Sequence, residues 1–382
     1  MNFDLNILKT AETPLYWYDA SLLKRTLDTI KESIAGHPVR VHYAVKANAN
    51  PGLLPLISGA GFGADCVSGG EIEAAVSSGF LPETICYAGV GKTDREIQLG
   101  LRHGIGCFNV ESLEELELIS GIASSGGYEA NVALRVNPNI DAHTHHYITT
   151  GLEENKFGID LSLLDKAVEM ATTLPGLSLK GLHFHIGSQI TIMEPFQLLC
   201  EKINCLVAKY RAKGVEFKTI NVGGGLGINY DDPDAEPIPP FETYFKTLLE
   251  GIKLVDGQEI HCELGRAIVA QCGSLISKVT LVKEGVGRKF VILNAGMNDL
   301  LRPALYGAKH KIENLSAAAD APLVRYDVVG PVCESSDTFC KDELLPQTHR
   351  GDFIAIRSAG AYGESMSSTY NMRPLPATLI TD

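Results

Sequence analysis

Eight short apolar runs recur between residues 38 and 266, and this repeated alternation with polar breaks narrows the folds open to the chain more than any other feature. The runs are PVRVHYAVKA, FGADCVS, TICYAG, GIGCFNV, YEANVALRVNP, GLHFHIGS, FKTINVGGG and QEIHCELGR. Between most of them lie stretches with apolar residues three and four apart, such as GGEIEAAVSSGF, SLEELELISGIASSG and PFQLLCEKINCLVAKYRAKG; SLLKRTLDTIKESIAG precedes the first run. That spacing predicts amphipathic helices. Eight strand–helix units predict a (β/α)8 barrel rather than an open doubly wound sheet, which has fewer strands and a glycine-rich turn after its first strand. Past Gly265 the period changes. GSLISKVTLVKEGVGRKFVILNAG, APLVRYDVVGPV and GDFIAIRSAGAYG alternate apolar and polar residues between Gly, Pro and Asp breaks, which predicts antiparallel strands. TPLYWYD near the N-terminus is also strand-like. The expected fold is α/β: a TIM-like (β/α)8 barrel over residues 22–268, with a second, antiparallel β domain formed by 269–382 and 1–21.

At 382 residues, 45% hydrophobic and 21% charged, the chain has the composition of a globular protein large enough for two cores. Its net charge of -13, with no basic stripe to offset it, opposes binding to a phosphate backbone, so no nucleic-acid partner is expected. The stretch MNFDLNILKTAETPLYWYD has no basic segment followed by an apolar core, and no apolar run is long enough to span a bilayer. The expectation is a cytoplasmic protein with no membrane partner. Nine cysteines without CxxC or zinc-ligand spacing fit reduced thiols in the cytosol. Most read as core residues, whereas Cys333 lies in the polar loop GPVCESSD.

In a (β/α)8 barrel the active site lies at the C-terminal ends of the strands, so those ends form a list of candidates. The first strand ends at Lys46, the second at Asp65 and Ser68, the fifth at Arg135 and Asn137, the sixth at His185 and Ser188. The seventh ends at Gly223, Gly224 and Gly225, the eighth at Glu263 and Arg266. A lysine ending a buried strand is either paired or needed for chemistry. Three consecutive glycines offer backbone N–H groups to a phosphate, though a lone GGG also fits a flexible turn. Together, a lysine amine and a phosphate nest are what pyridoxal 5'-phosphate needs, the lysine forming the Schiff base.

His183 and His185, two apart on a strand, face the barrel interior. His185 suits stacking on a flat pyridine, with Ser188 available to the phosphate and His183 a hydrogen-bonded core residue. Metal binding is disfavoured, because HxH lacks a third ligand at a sensible spacing and the DAHTHH loop (141–146) has no matching carboxylate pattern. Glu263 beside the pyridine nitrogen would keep that nitrogen protonated and favour decarboxylation, where an arginine would suit racemisation. The competing reading is that Glu263 pairs with Arg266.

These residues sit in recognisable motifs: YAVKANANP, GADCVSGGEI, RVNPNIDAHTHHYITTG, NKFGI, HFHIGSQI, NVGGGLGINY, ELGR, NDLLRPALYG, GPVCESSDTF and GAYGESMSSTYNMRP. Over almost its whole length the chain resembles the diaminopimelate decarboxylases, within the alanine-racemase-like fold group of pyridoxal-phosphate enzymes. Several motifs are shared with ornithine and arginine decarboxylases; HIGSQ and RPALY point most towards diaminopimelate. The resemblance implies that Lys46 is the Schiff-base lysine, His185 the stacking residue and Glu263 the partner of the pyridine nitrogen. Ser188, Gly225 and Tyr362 would contact the phosphate, and Asp65, Gly224, Gly265 and Arg266 would complete the cofactor site. Arg266, Arg302 and Tyr306, with Tyr362, would hold the substrate's distal end through its carboxylate, and Glu334 its distal ammonium.

By the same resemblance Cys333 and Glu334 come from the neighbouring subunit, making a homodimer with shared active sites. Leu264 stands where the family often has Pro, and Cys66 where an aliphatic residue is usual; neither alters a contacting group. The implied reaction is decarboxylation of meso-2,6-diaminopimelate to L-lysine and CO2, the last step of lysine biosynthesis, with Lys46 or Cys333 returning the proton. One rival is a related decarboxylase for D-ornithine, D-lysine or carboxynorspermidine, against which Arg302 speaks, since it would lie buried without its carboxylate. A non-catalytic pyridoxal-phosphate-binding regulator is opposed by the intact Lys46, Glu263 and Cys333. A racemase-type isomerase is opposed by Glu263.

Overall fold

The computed structural model describes residues 3–140 and 156–382, so the DAHTHH histidines and most of the motif around them lie outside the described residues. Two compact units emerge: Leu27–Gly227 with Pro240–Gly265, and Met1–Thr26 with Ile228–Pro239 and Arg266–Asp382. Strand β1 (Leu15–Asp19) belongs to the second.

The first unit is a closed parallel barrel of eight strands in sequence order. They are β2 (Val39–Ala44), β3 (Gly63–Cys66), β4 (Ile85–Tyr87), β5 (Cys107–Val110), β6 (Ala130–Arg135), β7 (Leu177–His183), β8 (Thr219–Asn221) and β9 (Glu259–Leu264). The barrel closes where β2 pairs with β9, Val39 opposite Ile260 and His42 opposite Glu263. Strands buried on both faces explain why these segments read as continuous apolar runs. Three of the helices that return the chain begin on a shared local signal, Ser or Thr followed three residues later by Glu. Ser68, Thr93 and Ser112 each accept the amide of the third residue on, opening helices Gly69–Ser77, Asp94–His103 and Leu113–Gly126. At Thr93 the Glu96 side chain answers back to form a full capping box.

The second unit is built on β10 (Gly273–Gly285), a 13-residue strand used twice. Its first half pairs with β1 and with β15 (Phe353–Ile356); beyond an irregularity at Val279/Leu281 it pairs with β11 (Arg288–Leu293). β12 (Ile312–Asn314) lies against β15, and β13 (Leu323–Val329) against β14 (Thr338–Pro346). These pairings are antiparallel, as the alternating pattern suggests. Two others are parallel: β11 with β13, and β1 with β16 (Ala377–Thr381). Alternation reports which face is buried and is blind to direction; the long segment from β11 to β13 supplies the crossover a parallel pair requires. Leu8, Leu15, Trp17, Ile276, Phe353 and Ala355 pack together as a core cluster of this unit.

Residues Ile228–Pro239 interrupt the barrel between β8 and helix Phe241–Gly251 yet group with the sheet unit. Their acidic side chains account for this. Asp234 takes a bidentate pair from Arg357 at 2.7 and 3.1 Å, and Lys311 reaches Asp232 at 3.4 Å. No helix among the described residues is long and apolar enough to cross a membrane.

Candidate active site

In the barrel unit, β2 stops at Ala44, and Lys46 sits in a single 3-10 turn, Val45–Ala47, rather than on the strand. The turn is locked behind it: the Tyr43 hydroxyl donates to the Asn48 carbonyl (2.8 Å), and Asn48 and Asn50 each accept the amide two residues on. Such Asx turns are what the Asn-Ala-Asn-Pro-Gly sequence encodes. Lys46 Nζ lies 3.1 Å from Asp65 Oδ2 of β3. Asp65 is fully buried, and its Oδ1 has no hydrogen-bond partner among the described residues. Burial, aided by the nearby Glu263 charge, raises the Asp65 carboxyl to about 6 despite the opposing pull of Lys46.

Glu263, on β9, is buried and its carboxylate receives three side-chain donors from the barrel interior. Asn109 and Asn221 donate to Oε1 at 3.0 and 2.8 Å, and His183 Nε2 meets Oε2 at 3.0 Å. Burial opposes its ionisation, but His183, then Lys46, hold the carboxyl well below the usual range. His183 therefore does more than fill the core: it is one of the groups that orient Glu263. Two acceptor directions on Oε1 are taken and one on Oε2, leaving a lone pair of Oε2.

Strand β7 ends at His183, so His185 lies past it in the following loop. Its Nδ1 accepts the Gly224 amide at 3.1 Å, which puts the ring proton on Nε2. Burial and the charges of Arg135 and Lys46 push its pKa well below the ordinary value, so the imidazole is neutral. The triple glycine is demanded by close approach. A Cβ on Gly224 would lie 2.1 Å from the Glu263 carbonyl oxygen, and one on Gly223, at φ +71°, 2.2 Å from that of Phe184. Two of its three amides serve the loop itself: Gly223 N–H donates to Asn221 Oδ1 (2.9 Å) and Gly224 N–H to His185. The nest anticipated from GGG is thus narrower than three free amides. Ser188 is half-buried in the loop after β7 that carries His185.

In the sheet unit, Arg266 opens the short helix Arg266–Val269 instead of ending a strand. Its Nη1 donates to the Tyr230 hydroxyl at 2.6 Å, and its guanidinium carbon lies 5.0 Å from the Tyr362 ring centroid. Arg302, on helix Arg302–Tyr306, is buried with its guanidinium carbon 4.8 Å from the Tyr230 ring centroid, and Nη1 donates to His310 Nε2 at 2.8 Å. Among the described residues Arg302 makes no ion pair. Tyr306, half-buried, closes the same helix. Cys333 and Glu334 are exposed on a loop that Asp337 organises by accepting the amides of Met297 and Val332, both at 2.7 Å. The Cys333 amide donates to Asn371 (3.2 Å), and Glu334 accepts the Tyr370 hydroxyl (2.6 Å).

Asn109, Asn221, Tyr230 and His310 escaped the sequence reading. The signal for the first two was present, since an amide inside CFNV or TINVGGG is out of place in a buried run. Elsewhere in the barrel His42, Cys86 and His261 bring possible metal ligands within 4.8 Å of one another. Both nitrogens of His42 are already engaged, with His261 Nδ1 at 2.9 Å and the Thr84 carbonyl at 3.0 Å.

Residues 20–270 match the family described as pyridoxal-dependent decarboxylase, pyridoxal binding domain. A diaminopimelate decarboxylase of Bacteroides thetaiotaomicron is 53% identical over 381 residues, covering 100% of this chain and 98% of that protein. One from Helicobacter pylori strain J99 is 43% identical, covering 96% and 90%. Among solved structures, diaminopimelate decarboxylase from Helicobacter pylori complexed with L-lysine superposes with a TM-score of 0.93 at 42% identity, covering 99% of this chain and 94% of that one. A lysine/ornithine decarboxylase from Vibrio vulnificus complexed with putrescine, at 21% identity and a TM-score of 0.86 over 99% of this chain and 97% of that one, shares the fold.

Proposed function

Because the chain belongs to the pyridoxal-dependent decarboxylases and, within them, to the diaminopimelate decarboxylases, we propose a division of labour among its residues for one reaction. That reaction is the decarboxylation of meso-2,6-diaminopimelate to L-lysine and CO2, and the cofactor is pyridoxal 5'-phosphate. The barrel residues fit this cofactor on three counts. Glu263 keeps an Oε2 lone pair for a ring N–H, His185 is a flat neutral imidazole held from behind by Gly224, and Lys46 is a partly exposed amine. Bound pyridoxal phosphate supplies an electron-poor ring that accepts the pair left behind by CO2.

Lys46 is the amine that would hold the cofactor, and Asp65, at about 6, is a carboxyl able to change charge beside that amine near neutral pH. Glu263, ionised and gripped by Asn109, Asn221 and His183, keeps the ring nitrogen protonated. His185 would pack on the ring face of the bound cofactor. Ser188, Gly225 and Tyr362 take the phosphate, with Gly224, Gly265 and Arg266 shaping the site. Lys46 or Cys333 returns the proton to the α-carbon. Arg302, with Arg266, Tyr306 and Tyr362, takes the distal carboxylate, and Glu334 the distal ammonium.

The observation that carries the substrate assignment is Arg302, a buried cation whose bonded partner is a neutral imidazole. A buried guanidinium without a carboxylate is costly unless an anion joins it. CO2 release measured over a panel of diamino acids tests the reading; preference for ornithine or lysine over meso-diaminopimelate would overturn it.

The working form in this reading is a homodimer in which Cys333 and Glu334 complete the partner's site. Both are exposed, next to a segment that leaves Tyr370, Met372 and Leu375 exposed as well. Lys46→Ala and Cys333→Ala dimers should each be inactive, and subunit exchange between them should restore activity. Verified mixed dimers without recovery would refute the shared site. Nine free thiols fit a cytoplasmic location.

A further inference from the structure

His310 follows the RPALYG run by three residues and has no part in the assignments above. It is buried, and both ring nitrogens are engaged. Nδ1 lies 2.8 Å from the Arg357 carbonyl oxygen, and Nε2 lies 2.8 Å from Arg302 Nη1. A carbonyl can only accept, so the proton sits on Nδ1, and Nε2 presents a lone pair to the guanidinium. Burial and the adjacent Arg302 charge hold the imidazole neutral, its pKa lowered to about 3.

The choice of partner matters chemically. A carboxylate at this position would cancel the Arg302 charge and occupy the fork that a substrate carboxylate needs. A non-acceptor would leave a long, rotamer-rich side chain free to swing. A neutral acceptor does neither: it fixes one edge of the guanidinium and leaves the charge whole. The support behind it is rigid. Arg357 is clamped by Asp234 (2.7 and 3.1 Å) and by Glu313 (2.7 Å). The segment that carries Asp234 also carries Tyr230, whose ring faces Arg302 and meets the His310 ring edge-on at 5.1 Å.

We propose that His310 is a positioning residue: through the Nε2–Nη1 bond it presets Arg302 as a fully charged receptor for the carboxylate remote from the reacting carbon. It thereby sets the preference for a diamino dicarboxylate over a diamino monocarboxylate. The inference rests on the assignment of Arg302 given above.

The test uses the holoenzyme and its His310→Ala, His310→Gln, Arg302→Ala and doubly substituted (Arg302→Ala, His310→Ala) forms. In His310→Ala the KM for meso-diaminopimelate and the inhibition constant of L-lysine, which retains that remote carboxylate, should both rise about tenfold or more while kcat changes less than about threefold. His310→Gln, whose amide can donate to the Arg357 carbonyl and accept from Arg302, should recover most of the loss. The double variant should be no worse than Arg302→Ala, because His310 acts through Arg302. An unchanged KM and L-lysine constant in folded His310→Ala would overturn the proposal. So would a fall in kcat alone, or additive losses in the double variant. If His310→Ala does not fold, His310→Leu takes its place: loss of L-lysine binding there beside near-wild-type binding in His310→Gln supports the proposal, and retention in His310→Leu refutes it. Failure of the wild type itself to decarboxylate meso-diaminopimelate would instead sink the functional reading beneath it.

Discussion

Among the described residues, the barrel and the sheet unit each bury a charge to which no Lys, Arg, Asp or Glu side chain is bonded, and they do so with reversed polarity. In the barrel the buried anion is Glu263, gripped by two amides and an imidazole N–H. In the sheet unit the buried cation is Arg302, held by an imidazole lone pair and a phenol face. Both units also contain buried charges that are fully paired: Lys92 with Glu115 and Arg135 with Glu111 in one, Arg357 with Asp234 and Glu313 in the other. The difference separates structure from function. A paired buried ion is satisfied in the resting protein, whereas one held by amides, imidazoles or a phenol face is oriented yet still able to attract a ligand of opposite sign. The barrel is set to receive a protonated ring nitrogen and the sheet unit a carboxylate.

Substitutions can break this contrast, beginning with the most severe. Lys46→Ala should lower CO2 release by about 10⁴-fold or more with unchanged circular dichroism, since it removes the amine that would form the Schiff base. Glu263→Gln keeps the shape of the anion and removes its charge; kcat should fall by about 10³, and a fall below tenfold would show that its charge is not what the reaction uses. Arg302→Ala should reduce kcat/KM for meso-diaminopimelate by about 10², read in steady-state assays alongside D-lysine, whose poor turnover should change far less. Asn221→Ala removes one of three grips on Glu263 and should lower kcat by about tenfold.

The smallest effect sharpens the comparison through pH. Burial raises the barrel carboxyl of Glu71 to about 7, above its unfolded value, so the folded state binds the proton more tightly. Its contribution to stability is full below about 4.5 and is lost as pH rises through about 7. His310, lowered to about 3, works in the other sense: its contribution is full above about 6.5 and is lost as pH falls towards about 3. Thermal midpoints of Glu71→Gln should therefore gain on the wild type at pH 8, and those of His310→Gln at pH 4.5, by a few degrees each. Shifts of the same sign at the same pH would mean that the two burials do not act as described.

The barrel was largely legible before any coordinates because its signals are local. A buried parallel strand must be apolar along its length, a Ser or Thr with Glu three residues on marks a helix start, and Asn-Ala-Asn-Pro-Gly turns on its own side chains. Lys46, His185, Glu263 and the glycines were found because they stand at the ends of such runs. Even the close contact that forbids a Cβ at Gly224 leaves a trace, as the glycine itself.

What no local pattern held was which side chains meet. Asn109, His183, Asn221 and Glu263 come from four different strands and converge because the sheet closes on itself, a consequence of all eight strands at once. The acidic, proline-rich stretch after Gly227 reads as an ordinary loop; only Arg357 and Lys311, more than seventy residues further on, make it part of the other unit and deliver Tyr230 to the arginines. Residue types, element boundaries and the chemistry of single side chains follow from short-range sterics and hydrogen bonding, which neighbours along the chain dictate. The partners of a buried charge follow from long-range closure, and that is why the sequence named Glu263 and Arg302 while the tertiary structure alone revealed what holds each of them ready.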